Sequence, residues 1–195
     1  SFFYVRDIVV TGNENVSSQL ILELSQLTTG KNIFTVNGTL AQRSIQTHPM
    51  ILKAEIKRHL PATLEIIVTE RKVWAVVPYE NYYLLVDRNG VYMDKVSYLS
   101  NNQYPIITFA EINTPLSLGQ TVNKEGIDMI AAIWDKMHEN TRNQISEFHY
   151  ENSKKEIIIY TMQGTEIRFG NLDRIDEKTA FFEQIFTMEN EIQEQ

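Results

Sequence analysis

Cysteine is absent from this 195-residue chain, so disulfides and thiolate metal sites are excluded outright. The absence leaves the compartment open, because a cysteine-free chain tolerates reducing and oxidising surroundings alike. No apolar run approaches the ~20 residues that a membrane-spanning helix needs, and no leader pattern opens the sequence. A start at Ser1 without methionine reads as a portion excised from a longer protein. Basic charge is in deficit: 18 Lys and Arg stand against 25 Asp and Glu, a formal net charge of −7. That argues against a nucleic-acid partner, whose binding relies on basic patches that release phosphate counterions. It argues more weakly against adsorption of the whole surface to anionic lipid. Catalytic signatures are missing as well. There is no glycine-rich phosphate loop, no His-Glu-x-x-His and no Gly-x-Ser-x-Gly. The four histidines, His48, His59, His138 and His149, stand apart in sequence, and none pairs with another at metal-ligand spacing. No catalytic residue, metal ligand or cofactor site is therefore expected.

What is present suffices for a core. A hydrophobic share of 43% with 22% charged residues fits one large domain or two small ones. Residues 3–10 are apolar and β-branched and stop at Thr11-Gly12-Asn13, which reads as a strand closed by a turn. Ser17 is a good helix N-cap, with Val16 and Ile21 spaced as a hydrophobic staple. Leu20, Ile21, Leu24 and Leu27 would form the apolar stripe up to Gly30. Asn37 is a second N-cap, before a short helix buried through Leu40, Ala41, Ser44 and Ile45 and stopped by His48-Pro49. His48 and His59, each beside a turn proline, read as solvent-facing or capping residues. Leu52, Ala54 and Ile56 alternate with Lys53, Glu55 and Lys57, a strand with one wet face. After the turn at Leu60-Pro61-Ala62, Leu64, Ile66 and Val68 alternate with Glu65, Ile67 and Thr69. The first seventy residues thus run β-α-α-β-β, and Glu70-Arg71-Lys72 marks a charged boundary.

The second region opens with strands over 73–77 and 82–86. Asp87-Arg88-Asn89-Gly90 is a hairpin turn in which Asn-Gly tolerates positive φ, and 91–93 returns antiparallel. Residues 105–109 form another short strand. Ile127, Ile130, Ala131, Trp134 and Met137 fall at helical spacing over 124–138. Strands follow over 145–150, 156–161 and 165–169. A last helix over 174–188 carries Phe181, Phe182, Ile185 and Phe186 on one side, and 189–195 is polar and expected to fray. Glu147 with Glu151, and Asp173 with Asp176 and Glu177, are carboxylate clusters that general acid–base chemistry can use. The plainer reading is a solvated face, with Asp176 and Glu177 favoured by the helix dipole. Trp74 and Trp134 are ligand-stacking candidates whose plainer reading is core.

An ordered set of segments resembles one family. Ile8-Val9-Val10-Thr11-Gly12-Asn13 with Val16-Ser17 is similar to the opening of a POTRA domain, and Gly30-Lys31-Asn32-Ile33-Phe34 to its interhelix loop. His48-Pro49-Met50-Ile51, Ala54-Glu55-Ile56-Lys57-Arg58, Leu60-Pro61-Ala62-Thr63-Leu64 and Ile66-Ile67-Val68-Thr69-Glu70-Arg71 follow in the order seen in the FtsQ/DivIB cell-division proteins. Trp74-Ala75 and Leu85-Val86-Asp87-Arg88-Asn89-Gly90 resemble the junction and first hairpin of that family's β domain. Tyr104-Pro105-Ile106-Ile107, Leu118-Gly119, Gln163-Gly164 and Phe169-Gly170 continue the resemblance more faintly.

The resemblance implies an α+β fold. A POTRA domain over 1–71, a three-stranded sheet with two helices, would precede an FtsQ/DivIB-type β domain over 72–195. That second domain would be mixed α/β with a largely antiparallel sheet. Family members usually continue into a further strand with an Asp-Leu-Arg-like segment, so the last strand is expected to be missing here. The implied role is a non-catalytic scaffold of the bacterial divisome. It would be anchored in the cell membrane by one N-terminal helix absent from this chain, with this portion extracytoplasmic and concentrated at the septum. Partners would be FtsB/DivIC-like and FtsL-like coiled-coil proteins and septal peptidoglycan synthases. The alternative readings are a POTRA-containing chaperone or transport component of the envelope, an envelope hydrolase, and a generic ligand-binding module. For partner binding, a strand ending near Phe169 offers backbone pairing if it lies at a sheet edge. Thr165, Glu166, Arg168 and Phe169, with Glu177, Lys178 and Glu183 on the helix that follows, are the candidate contacts.

Overall fold

The computed structural model describes residues 2–100 and 103–194. Its contacts fall into two compact units, Ser1–Lys72 and Val73–Gln195.

The first unit runs β1 (Asp7–Thr11), α1 (Ser18–Ser25), α2 (Gly38–Ile45), β2 (Ile51–His59) and β3 (Thr63–Glu70). The three strands form one sheet in the order β1-β3-β2, with β1 parallel and β2 antiparallel to β3. This is the expected β-α-α-β-β arrangement. Local chemistry sets its helix starts. The Ser17 hydroxyl accepts from Leu20 N–H at 3.1 Å, and the Asn37 side-chain Oδ1 accepts from Leu40 N–H at 3.0 Å. Val16 and Ile21 are buried in the same cluster, as a staple requires. Central β3 buries Leu64, Ile66 and Val68 on alternate positions.

Several details differ from the sequence pattern. Residues 3–6 do not extend β1 but pair with the interhelix loop, Ile33 N–H donating to Phe3 O and Val5 N–H to Lys31 O. Leu20 and Leu40 are exposed. Each stands one residue before the position that faces the sheet, Ile21 or Ala41, and one residue is ~100° of helix rotation. Leu52 is exposed because a bulge lies between Ile51 and Lys53. The extra residue turns Ile51 inward and leaves Leu52 on the wet face. His48 is a capping residue, its Nδ1 accepting from Met50 N–H at 3.1 Å.

Glycine and a carboxylate lock the β1–α1 loop to β3. Gly12 has φ +86°, and a Cβ there would sit 2.1 Å from the Val68 carbonyl oxygen. Glu70, the last residue of β3, accepts from the backbone N–H groups of Glu14, Asn15 and Val16 at 3.1, 2.9 and 2.7 Å. It also accepts from the Asn15 side-chain amide.

The second unit begins with an antiparallel meander, β4 (Ala75–Tyr79), β5 (Tyr82–Val86) and β6 (Tyr92–Val96). The β5–β6 turn departs from the expected Asn-Gly geometry, since Gly90 alone takes positive φ (79°). The buried Asp87 carboxylate organises it, accepting from Asn89 and Val91 N–H at 2.9 Å each. β7 (Ile107–Phe109), α3 (Lys124–Lys136), α4 (Glu139–Arg142), β8 (Ile145–Glu151), β9 (Glu156–Thr161), β10 (Glu166–Gly170) and α5 (Ile175–Gln193) complete the unit. The second sheet has the order β10-β9-β8-β7, with β7 parallel to β8 and the other pairs antiparallel. Val76 N–H donates to Pro105 O at 3.0 Å and ties the meander to that sheet. One core joins both sheets to α3 and α5: Ala75, Val77, Leu84 and Val86 pack with Ile127, Ile130, Phe148, Ile159, Phe182 and Phe186.

Trp74 and Trp134 are half-buried against this core, the latter between the Phe148 ring edge and the Arg142 guanidinium. In α5 the buried positions are Thr179, Phe182 and Phe186, three to four residues apart. Phe181 falls off that stripe and is 65% exposed, contrary to the pattern read from sequence. The segment expected to fray continues the helix to Gln193, and Glu189 accepts from the Thr165 hydroxyl. Gln195 lies outside the described residues.

Candidate docking edge

β10 is the outer strand of its sheet and pairs only with β9 among the described residues. The β9–β10 hairpin closes with Thr161 N–H donating to Thr165 O at 3.0 Å. Hydrogen-bonding direction alternates along an antiparallel ladder. The backbone N–H and C=O of Glu166 and Arg168 therefore point away from β9, off the sheet. Their side chains lie on the wet face, joined by a 3.3 Å ion pair with Arg168 70% and Glu166 45% exposed. These two candidates thus supply both the backbone groups and the side chains of an exposed edge.

The other candidates divide. Phe169 is buried in the core, with the Lys178 ammonium 4.9 Å from its ring centroid. Its ring packs behind the edge. Lys178 is half-buried, and it also donates to the Asn171 carbonyl at 2.6 Å. Thr165 precedes the strand and bonds Thr161 and Glu189. Glu177 is exposed in the first turn of α5 and pairs with Arg174. Glu183 does not share that surface. It turns toward α4, accepting from the His138 backbone N–H at 2.9 Å and lying 2.8 Å from the His138 ring. Burial pushes its carboxyl up, but the His138 groups and the Thr141 hydroxyl outweigh that and hold it below the ordinary glutamate range. Sequence reasoning missed Phe181, which joins Asp173, Arg174, Glu177 and Lys178 around a shallow cleft of about 490 Å³. Adjacency was the one signal available: Phe181 and Phe182 are ~100° apart on a helix, so they point in different directions, but it does not say which of them faces the core.

The groups with chemical potential are engaged elsewhere. Glu147 and Glu151, four residues apart on β8, are separated by ~13 Å of strand, too far to act on one bond. Glu151 accepts from the Ser153 hydroxyl and Glu147 from the Thr108 hydroxyl. The His149 Nδ1 also lies 2.8 Å from Thr108 Oγ1. Thr108 thus bridges Glu147 and His149 across β7 and β8. Asp176 pairs with Lys136, whose ammonium is held above its ordinary range by that hydrogen bond and the carboxylate charge. His59 pairs with Glu65, whose carboxyl is lowered chiefly by the His59 hydrogen bond. Among the described residues, no group of three or more His, Cys, Asp or Glu gathers as a metal site, and no helix is long and apolar enough to cross a membrane.

Residues 3–71 match the family described as POTRA domain, FtsQ-type, and residues 75–194 the family described as Cell division protein FtsQ/DivIB, C-terminal. Cell division protein DivIB of Clostridium tetani is 24% identical over 182 residues, covering 91% of this chain and 67% of that protein. The DivIB of Staphylococcus aureus is 25% identical over 184 residues, 93% of this chain and 39% of that protein. The chain therefore spans between about two fifths and two thirds of these relatives' lengths. The solved extracytoplasmic domain of DivIB from Geobacillus stearothermophilus aligns at 14% identity with a TM-score of 0.39, over 57% of this chain and 87% of that one.

Proposed function

Because the chain belongs to the FtsQ/DivIB family of cell-division proteins, we propose that it is a non-catalytic scaffold of the division machinery. It captures other division proteins on the outer edge of β10, beside the start of α5. In this reading residues 1–71 are a POTRA module and residues 72–195 the partner-binding β domain. The protein acts on the extracytoplasmic side of the cell membrane, at the septum. One observation carries the reading: the outer strand of the four-stranded sheet turns the backbone groups of Glu166 and Arg168 outward. Such a row is a template for an added strand. The exposed Phe181 beside it, with Arg174 and Glu177, suits an amphipathic segment that leads into or out of that strand. FtsB/DivIC-like and FtsL-like coiled-coil proteins are partners of that kind.

The test is capture of division proteins from bacterial envelope by the full-length protein and by edge variants. Arg168→Pro removes an outward N–H and leaves the β9 ladder its bonds. Arg168→Glu and Glu166→Lys reverse the edge charges at a cost of less than ~0.5 kcal/mol in stability. Capture of small coiled-coil division proteins should fall for all three, with thermal midpoints nearly unchanged for the charge reversals. Equal capture by all three would remove this edge from the site.

A further inference from the structure

Phe2, Phe3 and Phe34 make one exposed aromatic patch on the first unit. The rings of Phe2 and Phe3 meet edge-on at 5.2 Å between centroids, and those of Phe3 and Phe34 lie 5.4 Å apart. They are 72%, 40% and 60% exposed, with Tyr4 beside them at 43%. The backbone that presents them is pinned. Val5 N–H donates to Lys31 O and Gly30 N–H to Val5 O at 2.8 Å each, and Ile33 N–H donates to Phe3 O at 2.9 Å. Val5 and Ile33 are buried beneath the patch. The Arg58 guanidinium donates to the carbonyls of Ile33 and Val36 at 3.0 and 2.7 Å, and the Asn32 side chain accepts from Phe34 N–H. The fold thus holds apolar rings in water on a braced loop, and a contiguous exposed apolar patch marks an interaction site.

Acidic residues are absent from the loop that carries Phe34, and the one nearest in sequence to Phe2 and Phe3, Asp7, is preceded by Arg6. No Asp or Glu occurs between Glu23 and Glu55, a stretch that carries Lys31, Arg43 and Lys53. Residues 1–72 hold eight Lys and Arg against six Asp and Glu, whereas residues 73–195 hold ten against nineteen. The chain's net negative charge is therefore confined to the second unit. The exposed parts of the three phenyl groups amount to roughly 400 Å² at most, about half the ~800 Å² per partner of a standard protein interface. A bilayer needs no such area or shape match, since it accepts each ring separately.

We propose that this patch is an interfacial membrane contact. Its rings seat at the headgroup–acyl boundary of an anionic bilayer, and Lys31, in the same loop as Phe34, meets the headgroup phosphates. Partition is modest, at or below the ~10⁴ M⁻¹ of a single acyl chain. This contact is independent of the β10 edge, which lies in the other unit.

The test uses the 195-residue chain with vesicles of phosphatidylglycerol and phosphatidylcholine, and with phosphatidylcholine alone. Phe34→Trp places a reporter in the patch, while the native Trp74 and Trp134 give a constant background from the second unit. The expected result is a blue-shifted, acyl-bromide-quenchable emission on the anionic vesicles. Flotation should show at least a fivefold loss of partition for Phe34→Ser and for Phe2→Ser, and a partial loss for Lys31→Glu. Tyr98→Ser, a 74% exposed ring in the acidic unit, should bind as the parent does. Phe2 lies outside every helix and strand, so its variant stands even if Phe34→Ser folds poorly. An unshifted emission with anionic vesicles, or equal loss from Tyr98→Ser, overturns the proposal. A dimer that Phe34→Ser dissolves, with no vesicle binding by the parent, overturns it in favour of a protein partner.

Discussion

Removing the Glu70 carboxylate should unlatch the loop between β1 and α1, by an amount that follows from its donors. The Val16 N–H donates to it at 2.7 Å, and Val16 is buried. A buried donor deprived of a charged acceptor costs about 1.5–3 kcal/mol. The Glu14 and Asn15 N–H groups are exposed; water replaces the carboxylate there, and each costs about 0.5 kcal/mol. Glu70→Ala should therefore destabilise the first unit by about 2.5–4 kcal/mol. For a unit this small, that lowers its thermal midpoint by about 10–30 °C. Glu70→Gln keeps one acceptor oxygen and loses the charge, at about half that cost. The pH dependence supplies a second readout. Burial pushes the carboxyl up, but the N–H donors of Val16, Asn15 and Glu14 and the Asn15 amide outweigh it, and the folded-state value ends below the ordinary one. A carboxyl lowered in the folded state contributes stability that is fully present above its unfolded pKa, near ~4.3. That contribution is lost as pH falls through the folded value. The gap between parent and Glu70→Gln should thus be constant near neutrality and close in acid below about pH 4. Amide hydrogen exchange resolves the first unit from the second and reads the Val16 N–H directly. Unchanged Val16 protection in Glu70→Ala, with a midpoint shift under about 3 °C, would refute the reasoning.

Three glycines give further tests by thermal or urea unfolding. Gly12→Ala combines positive-φ strain with a Cβ placed 2.1 Å from a backbone oxygen of the central strand, and should cost about 3 kcal/mol or more. Gly30→Ala has the same sign of φ with nothing within 4 Å, so it isolates the strain alone, about 1 kcal/mol. In α3, a Cβ on Gly126 would lie 2.8–2.9 Å from ring atoms of Tyr150 and Phe109. Gly126→Ala should destabilise the second unit by about 1–2 kcal/mol, overpacking exceeding the helix-propensity gain.

What the sequence determined by itself is what acts over a few residues. Ser17 and Asn37 cap helices because each reaches an N–H three residues on. β3 reads as a strand because Leu64, Ile66 and Val68 alternate through a central position with one dry face. The family resemblance rests on the same short segments, including Thr11-Gly12 and Glu70-Arg71. Tertiary structure decided what depends on partners distant in the chain. Glu70 meets amides 54–56 positions away, and Gly12 is required because Val68 presses on it. Periodicity could not reveal the bulge at Leu52, which depends on pairing with β3. Nor could it separate Glu183 from Glu177, or Phe181 from Phe182, because a helix specifies relative rotation and only its neighbours specify which side is the inside. The outward set of β10, Glu166 and Arg168, was decided the same way, by the register of its hairpin with β9.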